Sequence, residues 1–272
     1  MNVQQPIVTV LIPNYRTPQI TRICLRLLRL HSDFRKIKVI VIDNGSNDES
    51  LSYLRSLSWI KLIERSPEPD DTNVLSHSRA LDLALNEVET PYVLSIHTDT
   101  FIKKREWLEV LLKPMIDSPL VAGVGSWKLE HKNFISRVGR KIEEWFKKII
   151  YYTLNFKTYE DQRFDENYHY LRSHCALYRM DVIRKLKTSF SDENQVAGLV
   201  MHRKMKEAGY EMVFLPSKKL STFIDHLNHA TLILNPDLGS KDKSIRKGRR
   251  KIQKKLRGID ADAILNNSNL DI

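Results

Sequence analysis

An α/β fold built on one mainly parallel sheet flanked by helices is predicted by this chain of 272 residues. Three observations predict it. Short apolar, partly β-branched runs at residues 7–12, 38–42, 60–63 and 92–96 alternate with segments whose apolar residues recur at helical spacing. Three of those runs stop abruptly at clusters of polar residues, as strands do where their carboxyl ends form a ligand crevice. The hydrophobic content of 42% is enough for one large core, and no internal repeat divides it.

Composition narrows the function classes. Only Cys24 and Cys175 are present, so there is neither a disulfide framework nor a Cys-rich metal site, and a reducing, cytoplasmic setting is expected. Residues 1–5 lead directly into a strand-like run, and no stretch of about 20 apolar residues occurs, so neither a secretory leader nor a membrane span is expected. Of the formal net charge of +11, residues 241–272 carry +6. Such an excess suits nucleic acid, an anionic membrane surface or anionic substrates, and charge alone does not choose. The absence of aromatics among these basic residues argues against single-strand nucleic-acid binding.

The first strand, residues 7–12, is broken by Pro13, Asn14 and Tyr15. Thr17 and Pro18 then supply an N-cap and first-turn pair for a helix that reaches about residue 30 and buries Ile20, Ile23, Leu27 and Leu30. The second strand, residues 38–42, ends in Asp43, Asn44 and Gly45, where a carboxylate can accept hydrogen bonds from a ribose or a base. Asp48 and Glu49 suit the first turn of the next helix. Residues 60–63 form a brief third strand, followed by a polar loop over 64–73. A helix over about 76–87 turns Leu81, Leu85 and Val88 inward, and carries His77 and Arg79 as groups that either reach a diphosphate or stay solvated.

The fourth strand, residues 92–96, delivers His97, Thr98, Asp99 and Thr100 together. Asp99 and Thr100 either cap the following helix, whose stripe is Trp107, Leu108, Leu111, Leu112 and Met115, or belong to a ligand site. Motifs at successive strand ends converge on one sheet edge. No GxGxxG follows the first strand and no GxxxxGK[ST] occurs, which argues against a dehydrogenase or kinase.

A strand over 121–127 ends at Ser126 and Trp127, residues able to line a pocket. Residues 133–154 form a basic amphipathic segment suited to a membrane interface, a sheet cover or a dimer contact. Residues 172–179 read as a strand with His174 near its start, residues 196–208 as a helix stopped by Gly209, and residues 212–215 as a strand. Asp225, His226, Asn228 and His229 follow. Beyond residue 235, Ile245, Ile252 and Leu256 give only a thin apolar stripe, so a solvated basic extension is expected.

These motifs resemble, in order and spacing from about residue 8 to 229, those of family 2 glycosyltransferases. His-Thr-Asp-Thr at 97–100 followed by Trp107 and Leu108 is similar to the family's Asp-x-Asp region. Val-Ile-Asp-Asn-Gly-Ser-Asn-Asp-Glu-Ser at 41–50 is similar to its second motif, and His-Ser-Arg-Ala-Leu-Asp-Leu-Ala at 77–84 to the helix before the Asp-x-Asp strand. The resemblance implies a glycosyltransferase A-type fold with a Rossmann-like mixed, mainly parallel sheet. It implies a catalytic domain at 1–240, with a nucleotide-binding half at 1–128 and an acceptor half at 129–240, before a basic tail at 241–272.

It also implies roles. Pro13, Tyr15, Asp43, Arg79 and His97 fall in the nucleotide region, with His97 where the first Asp of Asp-x-Asp is usual. Asp99 matches the direct ligand of Mg²⁺ or Mn²⁺, and His226 a metal-binding or diphosphate-binding histidine. Trp127 and His174 face sugar or acceptor. The family's Glu-Asp pair is replaced by Ala197 and Gly198, so the nearby Glu193, then Asp192, become candidates for the base; both also read as solvated loop acids or caps.

The implied reaction moves a sugar from a nucleoside diphosphate sugar to a hydroxyl of a saccharide, lipid-linked or small-molecule acceptor, with inversion. Two rivals stand beside it: a nucleotide-sugar-binding protein without catalysis, and a basic nucleic-acid-binding protein.

Overall fold

The computed structural model describes residues 5–127, 169–238 and 242–272. The expected segment at 133–154 lies outside them. Strands β1 (Val8–Asn14), β2 (Ile37–Asp43), β3 (Lys61–Glu64) and β4 (Tyr92–Ile96) pair in parallel in the order β3-β2-β1-β4. Helices α1 (Pro18–His31), α2 (Glu49–Ser56) and α3 (Asn73–Leu85) connect them. The sheet continues through β7 (Cys175–Arg179), β6 (Val121–Gly125) and β8 (Glu211–Phe214). Only β7 runs antiparallel to its two neighbours, so the seven-stranded sheet is mixed and mainly parallel, as expected.

Side chains of the central strands alternate between two cores, as the two-residue period of a strand requires. Val8, Val10, Ile12, Val39 and Val41 face the core shared with Leu54 and Trp107. Leu11, Ile40 and Ile42 face the opposite core, with Leu81, Phe190, Met201 and Met205. Both faces are therefore covered, which is why these strands read as nearly continuous apolar runs.

Helix α1 departs from expectation at its end. Leu30 is 43% exposed, because it lies roughly 120° round the helix from Cys24, the middle of the buried face.

A two-stranded ribbon lies beside the main sheet. Its strands β5 (Thr100–Ile102) and β9 (Ile224–His226) are antiparallel, with Thr100 opposite His226. Between β5 and β6 runs α4 (Trp107–Asp117); α5 (Met180–Leu186) follows β7, and α6 (Leu199–Glu207) precedes β8. After β8 come α7 (Ser217–Leu220), β9, α8 (Ala230–Leu234), α9 (Asp242–Gly258) and α10 (Ala261–Asn266).

The expectation of a solvated C-terminal extension is corrected here. Ile252 and Ala261 are buried in a third cluster with Ile20, Ile23, Leu27 and Phe101, and Leu256 packs against it. Gly248 allows the close approach: a Cβ there would stand 2.5 Å from Ile233 Cδ1. The thin stripe is sufficient because α9 covers an apolar side of α1 and the ribbon, while its charged residues stay in water.

Candidate active site

The three strand ends meet around a cleft of about 680 Å³. One wall is Pro13 and Asn14, the last two residues of β1, which runs past the expected break at Pro13, with Tyr15 just beyond them and Asn44 after β2. The floor carries His97, Thr98 and Asp99 from the end of β4, with His226 from β9. The opposite wall is formed by Trp127, Tyr170, Arg172, His174 and Ala197.

The first wall is held from behind. Asn14 Nδ2 donates to Asp43 Oδ1 at 2.7 Å and reaches Ser46 and Ser50, while its Oδ1 accepts from Thr21 Oγ1 at 2.6 Å. Asp43 also accepts the Ser46 N–H at 3.0 Å and is 2% exposed. The Asp43 carboxylate therefore lies behind the cleft wall, fixing the loops, and Asn14 and Asn44 are the polar residues that line the cleft at these two strand ends.

On the floor, chain segments remote in sequence converge. Asp99 Oδ2 accepts the Ala230 N–H at 3.0 Å, and its backbone carbonyl accepts the Leu227 N–H at 2.9 Å, which ties the turn after β4 to the end of β9. Asp99 Oδ1 then lies 3.0 Å from His226 Nε2 and 3.8 Å from His97 Nδ1. Among the described residues, Asp99 Oδ1 and both His226 nitrogens are buried without a hydrogen-bond partner. Buried polar atoms left without a partner are costly unless something else satisfies them.

A divalent cation fits that requirement. The ligand atoms of His97, Asp99 and His226 lie within 4.8 Å of one another, and mixed carboxylate and imidazole donors suit Mn²⁺, with Mg²⁺ favoured by oxygen ligands. Ser173 Oγ contacts His97 Nε2 at 3.0 Å and His77 Nε2 at 3.1 Å. By engaging the far nitrogen of His97 it leaves Nδ1 for Asp99 or an ion. His174 stacks on His226 with ring centres 4.6 Å apart, and its Nε2 lies 3.1 Å from Ser126 Oγ.

The electrostatics match this packing. Burial opposes charge on Asp99, but the adjacent His226 and the Ala230 N–H outweigh it and hold the carboxyl well below the usual range. Burial pushes His77 down to about 4 and His174 to about 3, and His97 is also pushed well down by burial and then by His77. These imidazoles are thus neutral in the fold at pH 7. Below about pH 6.5 the unfolded chain takes up protons that the fold refuses, so stability is lost as pH falls toward the folded values. Thermal unfolding of the metal-free protein is expected to show a falling midpoint between pH 7.5 and 5; a flat profile would contradict the buried neutral cluster.

Besides Asp43, three more expected site residues are placed away from the cleft lining. Arg79 is held by Glu68 at 2.9 Å, Asp70 at 2.7 Å and Asp71 at 2.9 Å, so it anchors the 64–73 loop and does not line the cleft. Glu193 pairs with Arg203 at 2.6 Å and is half-exposed. Asp192 accepts from Ser189 Oγ at 2.8 Å, from Lys204 at 2.8 Å and from Thr188. Neither acid lines the cleft. Ala197 does line it, and Gly198 adopts φ +79° with Tyr178 Oη 3.0 Å from where a Cβ would stand. A carboxylate-bearing side chain at 198 would be strained there.

A mixed, mainly parallel seven-stranded sheet of this order, flanked by helices, matches the A-type glycosyltransferase fold. The Glycosyl transferase family 2 model matches residues 9–187, well over half of the sequence, and the chain belongs to that family. Among solved structures it is similar to the mannosyltransferase PcManGT from Pyrobaculum calidifontis in complex with GDP-Man and Mn²⁺. That likeness has 18% identity and a TM-score of 0.55, and covers 78% of this chain and 55% of that one.

It is also similar to glucosyl-3-phosphoglycerate synthase from Mycobacterium tuberculosis in complex with Mn²⁺, uridine-diphosphate and glucosyl-3-phosphoglycerate. Here identity is 14% and the TM-score 0.51, over 89% of this chain and 78% of that one. Likeness at these identities shows the fold. This chain spans little more than half the length of the mannosyltransferase. No curated protein sequence matches it.

Proposed function

We propose that this chain transfers a sugar from a nucleoside diphosphate sugar to an acceptor hydroxyl, with inversion and with a divalent ion at Asp99. The observation that carries the reading is the orphaned pair, Asp99 Oδ1 and His226 Nε2, 3.0 Å apart on the cleft floor. Asp99, His226 and His97 would hold Mg²⁺ or Mn²⁺, which when bound neutralises the charge on the leaving diphosphate. Pro13, Tyr15, Asn14 and Asn44 form the nucleotide wall, while Trp127 and His174 face the sugar and acceptor. A screen of nucleoside diphosphate sugars by thermal shift, with and without Mn²⁺, tests it. A metal-dependent rise in midpoint is expected, and no response to any donor would sink the reading.

A second reading, donor binding without transfer, is favoured by one observation: at the family's acidic pair stand Ala197, on the cleft wall, and Gly198, in a left-handed conformation. Turnover of the bound donor with candidate acceptors separates the two.

The outward face of α9 supports an anionic membrane surface as a partner, with a lipid-linked acceptor among the options. Arg246, Lys247, Arg249, Arg250, Lys251 and Lys254 are exposed, whereas Ile245 and Ile252 are turned inward. Attraction without insertion follows, at about 1 kcal/mol for each basic residue near the surface, and it weakens with salt. Sedimentation with phosphatidylserine vesicles is expected to recover more protein than with phosphatidylcholine vesicles; equal recovery would exclude the interaction.

A further inference from the structure

We propose that Lys255, on helix α9, is a positioning residue for the metal site and acts through β9. The proposal rests on the metal reading given above. The strand β9 that carries His226 has three residues and, among the described residues, pairs only with β5. Such a short ribbon is weakly held by its own ladder. A metal-ligating imidazole is ordinarily oriented by a partner on its far nitrogen. His97 has one in Ser173, whereas neither nitrogen of His226 is hydrogen-bonded among the described residues.

His226 is held instead by its neighbours' packing and by its own backbone. The His174 ring stacks on it with an interplanar angle of 13°. Lys255 Nζ donates to the His226 carbonyl at 2.6 Å and to Asp225 Oδ1 at 2.6 Å, and the same Asp225 Oδ1 accepts the His226 N–H at 2.8 Å. One ammonium therefore closes a ring of contacts around the backbone of the ligand residue. Helix α9 can deliver it because Ile252 and Leu256 belong to the same apolar cluster as Phe101, which pairs with Asp225 across the ribbon, and Leu227, which follows His226. Lys255 does not line the cleft, so its effect passes through β9.

The test measures Mn²⁺ affinity of the full chain, with Mn²⁺ alone as probe, by titration calorimetry, alongside the unfolding midpoint of the metal-free protein. Lys255→Met is expected to weaken Mn²⁺ binding by about 10-fold, the scale of losing an orienting partner behind a metal ligand. The metal-free midpoint should stay near wild type, Lys255→Arg should recover much of the affinity, and Asp225→Asn should weaken it in parallel. If Lys255→Met binds Mn²⁺ as wild type does, the proposal is overturned. If that variant fails to fold, Asp225→Asn decides, and unchanged affinity there overturns it equally. Failure of the unmodified chain to bind Mn²⁺ would overturn the metal reading and this proposal together.

Discussion

Asp99→Ala is expected to abolish the metal-dependent rise in thermal stability that a nucleoside diphosphate confers. Ligand linkage raises stability only while binding persists, by about 2.7 kcal/mol at a hundredfold excess over Kd, and the whole of that increment should vanish. Among the described residues, Asp99 carries the only carboxylate in the cluster it forms with His97 and His226. His97→Ala should lose less, since its Nδ1 lies 3.8 Å from Asp99 Oδ1 against 3.0 Å for His226 Nε2. Differential scanning fluorimetry with and without Mn²⁺ reads both variants. Full metal dependence in Asp99→Ala would show that the strand-end assignment is wrong.

Asp271→Ala is expected to lower the stability of the whole fold by about 3 kcal/mol, the scale of breaking one partner out of a buried pair. Asp271 accepts from Arg26 Nε at 2.9 Å and from the Tyr53 hydroxyl at 2.7 Å, and Arg26 is only 4% exposed. Arg26 also donates to the carbonyls of Ile264, at 2.9 Å, and Leu265. One guanidinium in the middle of α1 thus ties α10 and the residues after it to the main body. Without Asp271 that charge is left without a counter-ion among its contacts, while its carbonyl contacts remain. Urea unfolding checks the value, and a midpoint equal to wild type would mean that the C-terminal residues detach at little cost. The carboxyl of Asp271 is held below its usual range chiefly by the Arg26 hydrogen bond, working against burial. Its contribution is therefore present above the unfolded value of about 3.9 and lost as pH falls through the folded one.

The strand ends were legible in the sequence because each joins an apolar run to a burst of polar residues, and that pattern is local. The neighbourhoods of those ends were not. Asp43 is a strand-end carboxylate by pattern, but its partner Asn14 comes from another strand, and only the register of Asn14 against Asp43 shows that the carboxylate is occupied. Arg79 has helical spacing compatible with a diphosphate contact, and three acids of the preceding loop claim it instead. Ser173 carries no spacing signal at all, yet it bridges His77 and His97. Glu193 stands near the replaced acidic pair in the chain, and Arg203 of the following helix holds it instead.

The sequence by itself determined the alternation of strands and helices, the two-sided core, and the place of Asp99 at the end of a central strand. These follow from side-chain periodicity, which neighbouring residues impose on one another. The tertiary structure alone decided that His226 stands opposite Thr100 beside Asp99, that four histidines gather around one carboxylate, and that a helix rich in lysine and arginine packs beneath the ribbon. Those outcomes depend on strand register, on loop closure across more than a hundred residues, and on a few apolar contacts of α9. The first two leave no periodic mark in the chain, and the third leaves only the thin stripe of Ile245, Ile252 and Leu256.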